Sequence, residues 1–156
     1  MRSSAFRSIF PVILFAGLLA EGLFELYAWL ISPIIFGETL EPANLVMGLF
    51  QRFLSVELSY VQGFSVHAFI GAVVFPVAVY IIARVLNQRF VLAGVVTGVA
   101  LWFMAQGILA PLMGRNFMMG FGAYTQSSFV GHVGMTLIVG FIFARVWLRD
   151  AALQKL

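Results

Sequence analysis

The chain has 156 residues, of which 62% are apolar and 10% charged, and its mean hydropathy is +1.04. Those values exclude a soluble domain and leave a single integral membrane domain over residues 1–156, with room for about four spans of roughly 20 residues each. There is no cysteine, which excludes disulfides, thiolate metal sites, iron–sulfur clusters and covalent c-type haem attachment, and the net charge of +3 comes from no basic stripe, so nucleic acid is not expected as a partner.

The N-terminus places Arg2 and Arg7 ahead of an apolar run, as a signal peptide does, but the run continues well past signal-peptide length. It predicts an uncleaved first span over about residues 8–31, with Pro11 in its first turn, where proline is tolerated. Pro33, after Ser32, should kink or end that helix. Inside the run stand Glu21 and Glu25. Spacing of four puts them on one helix face, together with Gly17 and Ala28, so a neighbouring helix can approach closely there. An ionisable side chain in such a span is expensive and usually faces the protein interior with a partner.

A polar turn, Gly37 to Pro42, comes next. Residues 43–60 then read as an amphipathic helix, with Leu45, Val46, Leu49, Phe50 and Phe53 at helical spacing. Such a segment is expected to lie in the interface plane between spans one and two. The second span is predicted over about 62–86, with Gly63, His67 and Gly71 along one face. Asn87 to Arg89 is a tight connection into a third span over about 90–113. Gly94 and Gly98 there have the small-residue spacing that favours close helix contact. A glycine-rich loop over 114–127 carries Met118 and Met119, just after Met113. Thioethers suit Cu(I), but methionine is also an ordinary gap filler. A fourth span over about 128–148 contains His132, and a short charged tail closes the chain.

With both termini on one side, that side holds Arg2, Arg7, Arg84, Arg89, Arg145, Arg149 and Lys155, against Arg52 and Arg115 on the other. The positive-inside rule then assigns both termini to the cytoplasm and the protein to the cell (inner) membrane. The strings Ile82 to Leu86 and Phe143 to Trp147 echo each other at the ends of spans two and four, as two hairpins related by an axis along the membrane normal would. Counted at 1.5 Å per residue, His67 lies about 25 Å from Arg84, His132 about 20 Å from Arg145 and Gln106 about 25 Å from Arg89. Glu21 and Glu25 lie about 21 and 27 Å from Arg7. All five polar residues therefore fall in the outer half of the bilayer, and are expected to share one buried polar layer.

Several chemistries fit such a layer. His67 and His132, on different helices, could supply both axial ligands of a b-type haem, with the glycines flanking His67 making room for a macrocycle. Two histidines and two glutamates also suit zinc or iron, although the Glu-x-x-His pairs of di-iron bundles are lacking. Glu–His pairs can exchange protons, as a proton or quinone site requires. The layer can also be a static network that holds four helices in register. No nucleophile motif, phosphate loop or dinucleotide fingerprint is present, so the chain is not expected to be an enzyme.

His67 to Gly71, the stretch from Trp102 through Pro111 to Gly114, and Gly131-His132 with Gly134 together resemble a broad group of small prokaryotic four-span membrane proteins of uncharacterised function. The resemblance covers about residues 65–147. It implies the four-helix architecture and supplies no activity. The expected function is thus a small non-catalytic subunit, packed with other membrane subunits or with itself in a larger complex, electron transport being the setting considered first. Seventeen phenylalanines, more than a small bundle can hide, motivate that expectation. The alternative is a redox or ligand-binding module holding a b-type haem, a metal or a quinone at Glu21, Glu25, His67, Gln106 and His132.

Overall fold

Long apolar stretches without turn residues leave the backbone no partner but itself, and the chain answers with helices. The computed structural model describes residues 3–153, and the side chains of residues 9–147. All regular structure among the described residues is helical. Four helices are long and apolar enough to cross a membrane, and are numbered here as spans one to four: Ile9–Phe36, Tyr60–Val85, Phe90–Leu112 and Ala123–Trp147. Arg2 and Lys155, and the side chains of Arg7 and Arg149, lie outside what is described.

Each span buries one stripe and exposes the rest. In span one the buried stripe is Ile13, Ala16, Ala20, Glu21, Phe24, Ala28 and Ser32, at spacings of one, three and four, while Phe15, Leu18, Leu19, Leu23 and Leu30 face outward. The spans pack around a core that includes Phe24, Val79, Phe90, Met135, Val139 and Phe143. Small residues set how close they come. A methyl group on Gly94 or Gly98 of span three would run into the backbone of span four at Thr136 and Val133, and one on Gly140 would meet the Phe90 carbonyl. The Gly94/Gly98 spacing does what such spacing is expected to do.

Three of the four spans contain one wide π turn: Tyr27–Ile31, Ile70–Val74 and Met104–Leu109. Each ends two residues before a proline, namely Pro33, Pro76 and Pro111. A proline has no N–H for the carbonyl four residues back, and its ring crowds that carbonyl. The chain relieves the crowding by admitting one extra residue. The residue before each proline bonds five residues back instead: Ser32 N–H to Tyr27, Phe75 N–H to Ile70 and Ala110 N–H to Ala105. Pro33 therefore neither ends span one nor breaks it. The helix runs on to Phe36 and stops at Gly37, which takes φ +71°. Helix is already present at Ser3, the first described residue, so Pro11 lies inside it and not in its first turn.

The segment between spans one and two is helical over Pro42–Leu54 only, shorter than the 43–60 of the amphipathic pattern. Two local features cut it back. Ser55 turns left-handed with φ +55°. Ser59 then caps span two: its hydroxyl accepts the Gln62 N–H, and Gln62 Oε1 accepts the Ser59 N–H at 2.8 Å, a reciprocal capping box. This connecting helix buries Ala43 and Val46, and its Met47 fills the space over Gly63 of span two. Span four also departs from expectation. It begins at Ala123, so Thr125 and Ser127, expected in a loop, are helical and buried.

Candidate functional site

The five polar residues singled out by sequence separate into two sets. Glu21, Glu25 and His67 form the first. Glu21 Oε1 lies 3.3 Å from His67 Nδ1, and Glu25 Oε1 lies 4.0 Å from the same nitrogen. One ligand atom from each residue falls within 4.8 Å of the others. The helical repeat explains the meeting. Glu21 and Glu25 are one turn apart on span one, and His67 and Gly71 are one turn apart on span two. Gly71 is what lets the carboxylate in: a methyl group there would overlap Glu21 Oε2. One turn lower, Gly17 receives the Ala72 carbonyl, which stands four residues before Pro76. The wide turn of span two thus presses its backbone against span one just beside the pair.

The geometry of this trio is incomplete. Glu21 is only 6% exposed. Both of its carboxylate oxygens, Glu25 Oε1 and His67 Nδ1 are buried without a hydrogen-bond partner. The 3.3 Å separation is an ion-pair distance, but the atoms are not aligned for a hydrogen bond. Among these three side chains the bond made is that donated by Trp29 Nε1 to Glu25 Oε2, at 3.0 Å. Each unmatched buried polar group costs about 1–3 kcal/mol, and a charged one more.

Gln106 and His132 belong to the second set, with Tyr27, Thr125, Ser127 and Ser128, which stood out in no sequence pattern. Gln106 Nε2 donates to Ser128 Oγ at 3.1 Å, and His132 Nδ1 donates to the Ser128 carbonyl at 2.8 Å. Trp102 Nε1 donates to the Thr125 carbonyl, and the Thr125 hydroxyl donates to the Met118 carbonyl. Tyr27 donates its hydroxyl to the Ser127 carbonyl at 3.0 Å, and Ser32 and Ser127 share a bond between their hydroxyls. This network ties spans one, three and four to the loop. Every side chain in it makes at least one hydrogen bond, and Gln106 Oε1 is the atom left over. Serines and threonines near a glycine-rich loop look like loop residues in sequence. A run of polar residues, Thr125 to Ser128, ending one helical turn ahead of His132 was the signal available.

Among the described residues no hydrogen bond or ion pair joins the two sets. Phe24 stands between them, its ring centroid 5.7 Å from that of His67 and its edge filling the space over Gly131. The single five-residue layer is therefore two clusters. The same packing argues against a haem held by both histidines. Gly63 is covered by Met47 and Gly71 by Glu21, so the gaps expected to admit a macrocycle are filled by protein. The loop methionines pack against glycines. Met113 reaches Gly48, whereas Met118 is buried against Gly107. Compared with known proteins, the chain matches no family model, no curated protein and no solved structure.

Proposed function

We propose that this chain is a small, non-catalytic ligand-binding module of the cell membrane, with Glu21, Glu25 and His67 as the residues that hold the ligand. One observation carries the reading. The Gln106/Ser128/His132 network is bonded internally, as a structural network should be, while the trio beside it is buried and leaves four polar atoms unmatched. Buried polar groups are ordinarily satisfied, and four unmatched atoms gathered in one place call for an explanation, a bound ion or ligand foremost.

In this reading the four spans cross the bilayer, and the end carrying Arg84, Arg89 and Arg145 faces the cytoplasm with both termini. The connecting helix lies in the outer interface, with Ala43 and Val46 toward the bundle and the exposed Phe53 and Leu54 toward lipid. The resemblance to small prokaryotic four-span proteins belongs to the same picture. A second reading, a subunit packed in a larger membrane complex with electron transport considered first, draws on the outward phenylalanines: Phe15, Phe69, Phe103 and Phe141 are all at least 46% exposed.

Opposite signs of stability change test the proposal. In chelator-stripped, ligand-free protein, Glu21→Gln replaces a buried carboxylate that makes no hydrogen bond and should leave the melting temperature unchanged or raise it. Gln106→Ala removes a made bond and should lower stability by about 1 kcal/mol. If Glu21→Gln destabilises as much as Gln106→Ala, the trio is structural and the binding reading falls.

A further inference from the structure

Resting on that reading, we infer that the ligand is one divalent first-row metal ion of the zinc class, held between spans one and two by Glu21, Glu25 and His67 with the remaining position open. Three independent features of the site lead there. The first is distance. A tetrahedral ion with arms of about 2.0–2.1 Å holds its ligands about 3.3–3.4 Å apart. Glu21 Oε1 and His67 Nδ1 already stand at 3.3 Å, and Glu25 Oε1 is at 4.0 Å from that nitrogen, within a small side-chain rotation.

The second feature is charge. Two carboxylates and a neutral imidazole carry two negative charges, and a divalent ion cancels them. In a buried site this balance matters more than raw affinity, because uncompensated charge is expensive there. The third feature is the donor set. One nitrogen and carboxylate oxygens suit zinc and its first-row neighbours. Calcium wants six to eight oxygens, and Cu(I) wants sulfur.

The unmatched atoms point the same way. Glu21, 6% exposed, turns its unpaired Oε1 to His67, while Oε2, also unpaired, packs over Gly71. Glu25 divides its work: Oε1 is free for the ion while Oε2 accepts from Trp29, which orients the carboxylate as outer-shell partners of metal ligands do. The side chains of Glu25 and His67 keep 18% and 13% exposure, against 8% for Glu21, so the ion enters past Glu25 and His67.

The experiment uses the full chain, purified with a tag that contains no histidine and stripped with chelator. It is titrated with Co2+ as a coloured stand-in for Zn2+, and the Co2+ is then displaced with Zn2+. A single equivalent of Co2+ with tetrahedral d–d absorption, displaced by Zn2+, is expected. Glu21→Gln and His67→Gln should each weaken binding more than about 100-fold, beyond the loss usual for an outer-shell residue. Trp29→Phe should weaken it about 10-fold. Glu57→Gln, at an exposed position in the connection ahead of span two, should change nothing. Helicity and elution volume report whether each variant is folded, and Glu25→Gln substitutes for any that is not. Failure of the native protein to take up Co2+ or Zn2+ overturns the inference, as does binding that survives in the folded trio variants. If the metal is not bound but Glu21→Gln does not destabilise the stripped protein, the binding reading stands with a different occupant. If Glu21→Gln does destabilise it, both readings fall.

Discussion

Glu21 faces Gly71 across the contact between spans one and two, and each needs the other to be what it is. The carboxylate occupies the space where a Cβ would sit, and the Met135 methyl borders the same space. Gly71→Ala should therefore displace Glu21 from the trio or push the two spans apart, at a cost of about 1–3 kcal/mol, the usual range for overpacking. Chemical denaturation or thermal melting reads that loss. Metal uptake should fall with it, since the displaced carboxylate no longer meets His67. A Gly71→Ala variant as stable as the native chain would mean that the carboxylate has room to retreat. His132 shows the contrasting case. Its Nδ1–H is committed to the Ser128 carbonyl one turn earlier, and its ring lies 6.3 Å from that of Phe75. It serves the helix and its neighbours, and has no carboxylate within ion-pair distance among the described residues.

The wide turns govern the elements in the same way that side chains govern the site. An inserted residue rotates the N-terminal part of a helix by about 100° relative to the C-terminal part, one residue's worth of helical turn. The turn at Ile70–Val74 begins three residues after His67, so it sets the angle at which His67 meets span one. It also turns the Ala72 carbonyl outward onto Gly17. In span one the Ala28 carbonyl, inside the turn at Tyr27–Ile31, accepts the Leu40 N–H at 3.4 Å and anchors the chain leaving the span. Span four has neither a proline nor a wide turn, which limits the echo between the ends of spans two and four to that short string. Two glycines of one helix isolate the packing effect. A methyl on Gly17 would collide with the Ala72 backbone, whereas Gly22 has nothing within 4 Å. Gly17→Ala should destabilise by about 1–3 kcal/mol. Gly22→Ala should be neutral or stabilise by up to about 1 kcal/mol, because only helix propensity changes. Equal melting temperatures for the two variants would contradict the close contact.

At the scale of the molecule, one set of variants tests both orientation and company. The chain lacks cysteine, so each introduced cysteine is unique. Asn116→Cys lies in the loop between spans three and four, and Asn87→Cys in the tight turn between spans two and three, at the opposite end. In intact cells a membrane-impermeant maleimide should label the first and spare the second. The reverse pattern would invert the topology. The same preparations, gently extracted and weighed by native mass spectrometry, should carry additional membrane subunits or a second copy if the outward phenylalanines face protein. A lone monomer would assign those surfaces to lipid.

Sequence by itself determined the number of spans, because a stretch of about 20 apolar residues has few stable alternatives in or out of a bilayer. It also selected Glu21, Glu25, His67, Gln106 and His132 as one group, because polar side chains are conspicuous in an apolar run, and the close approach at Gly94 and Gly98, because small residues at that spacing have few other uses. Tertiary structure decided the rest. Depth along a helix is a one-dimensional quantity, and it set all five polar residues at similar heights. Which of them meet depends on azimuth, and azimuth depends on the three proline-linked wide turns and on Phe24 standing between the clusters. The start of span four and the bonded roles of Thr125, Ser127 and Ser128 were hidden for a related reason. Small polar residues favour loops in sequence, and only partners from other helices make them core.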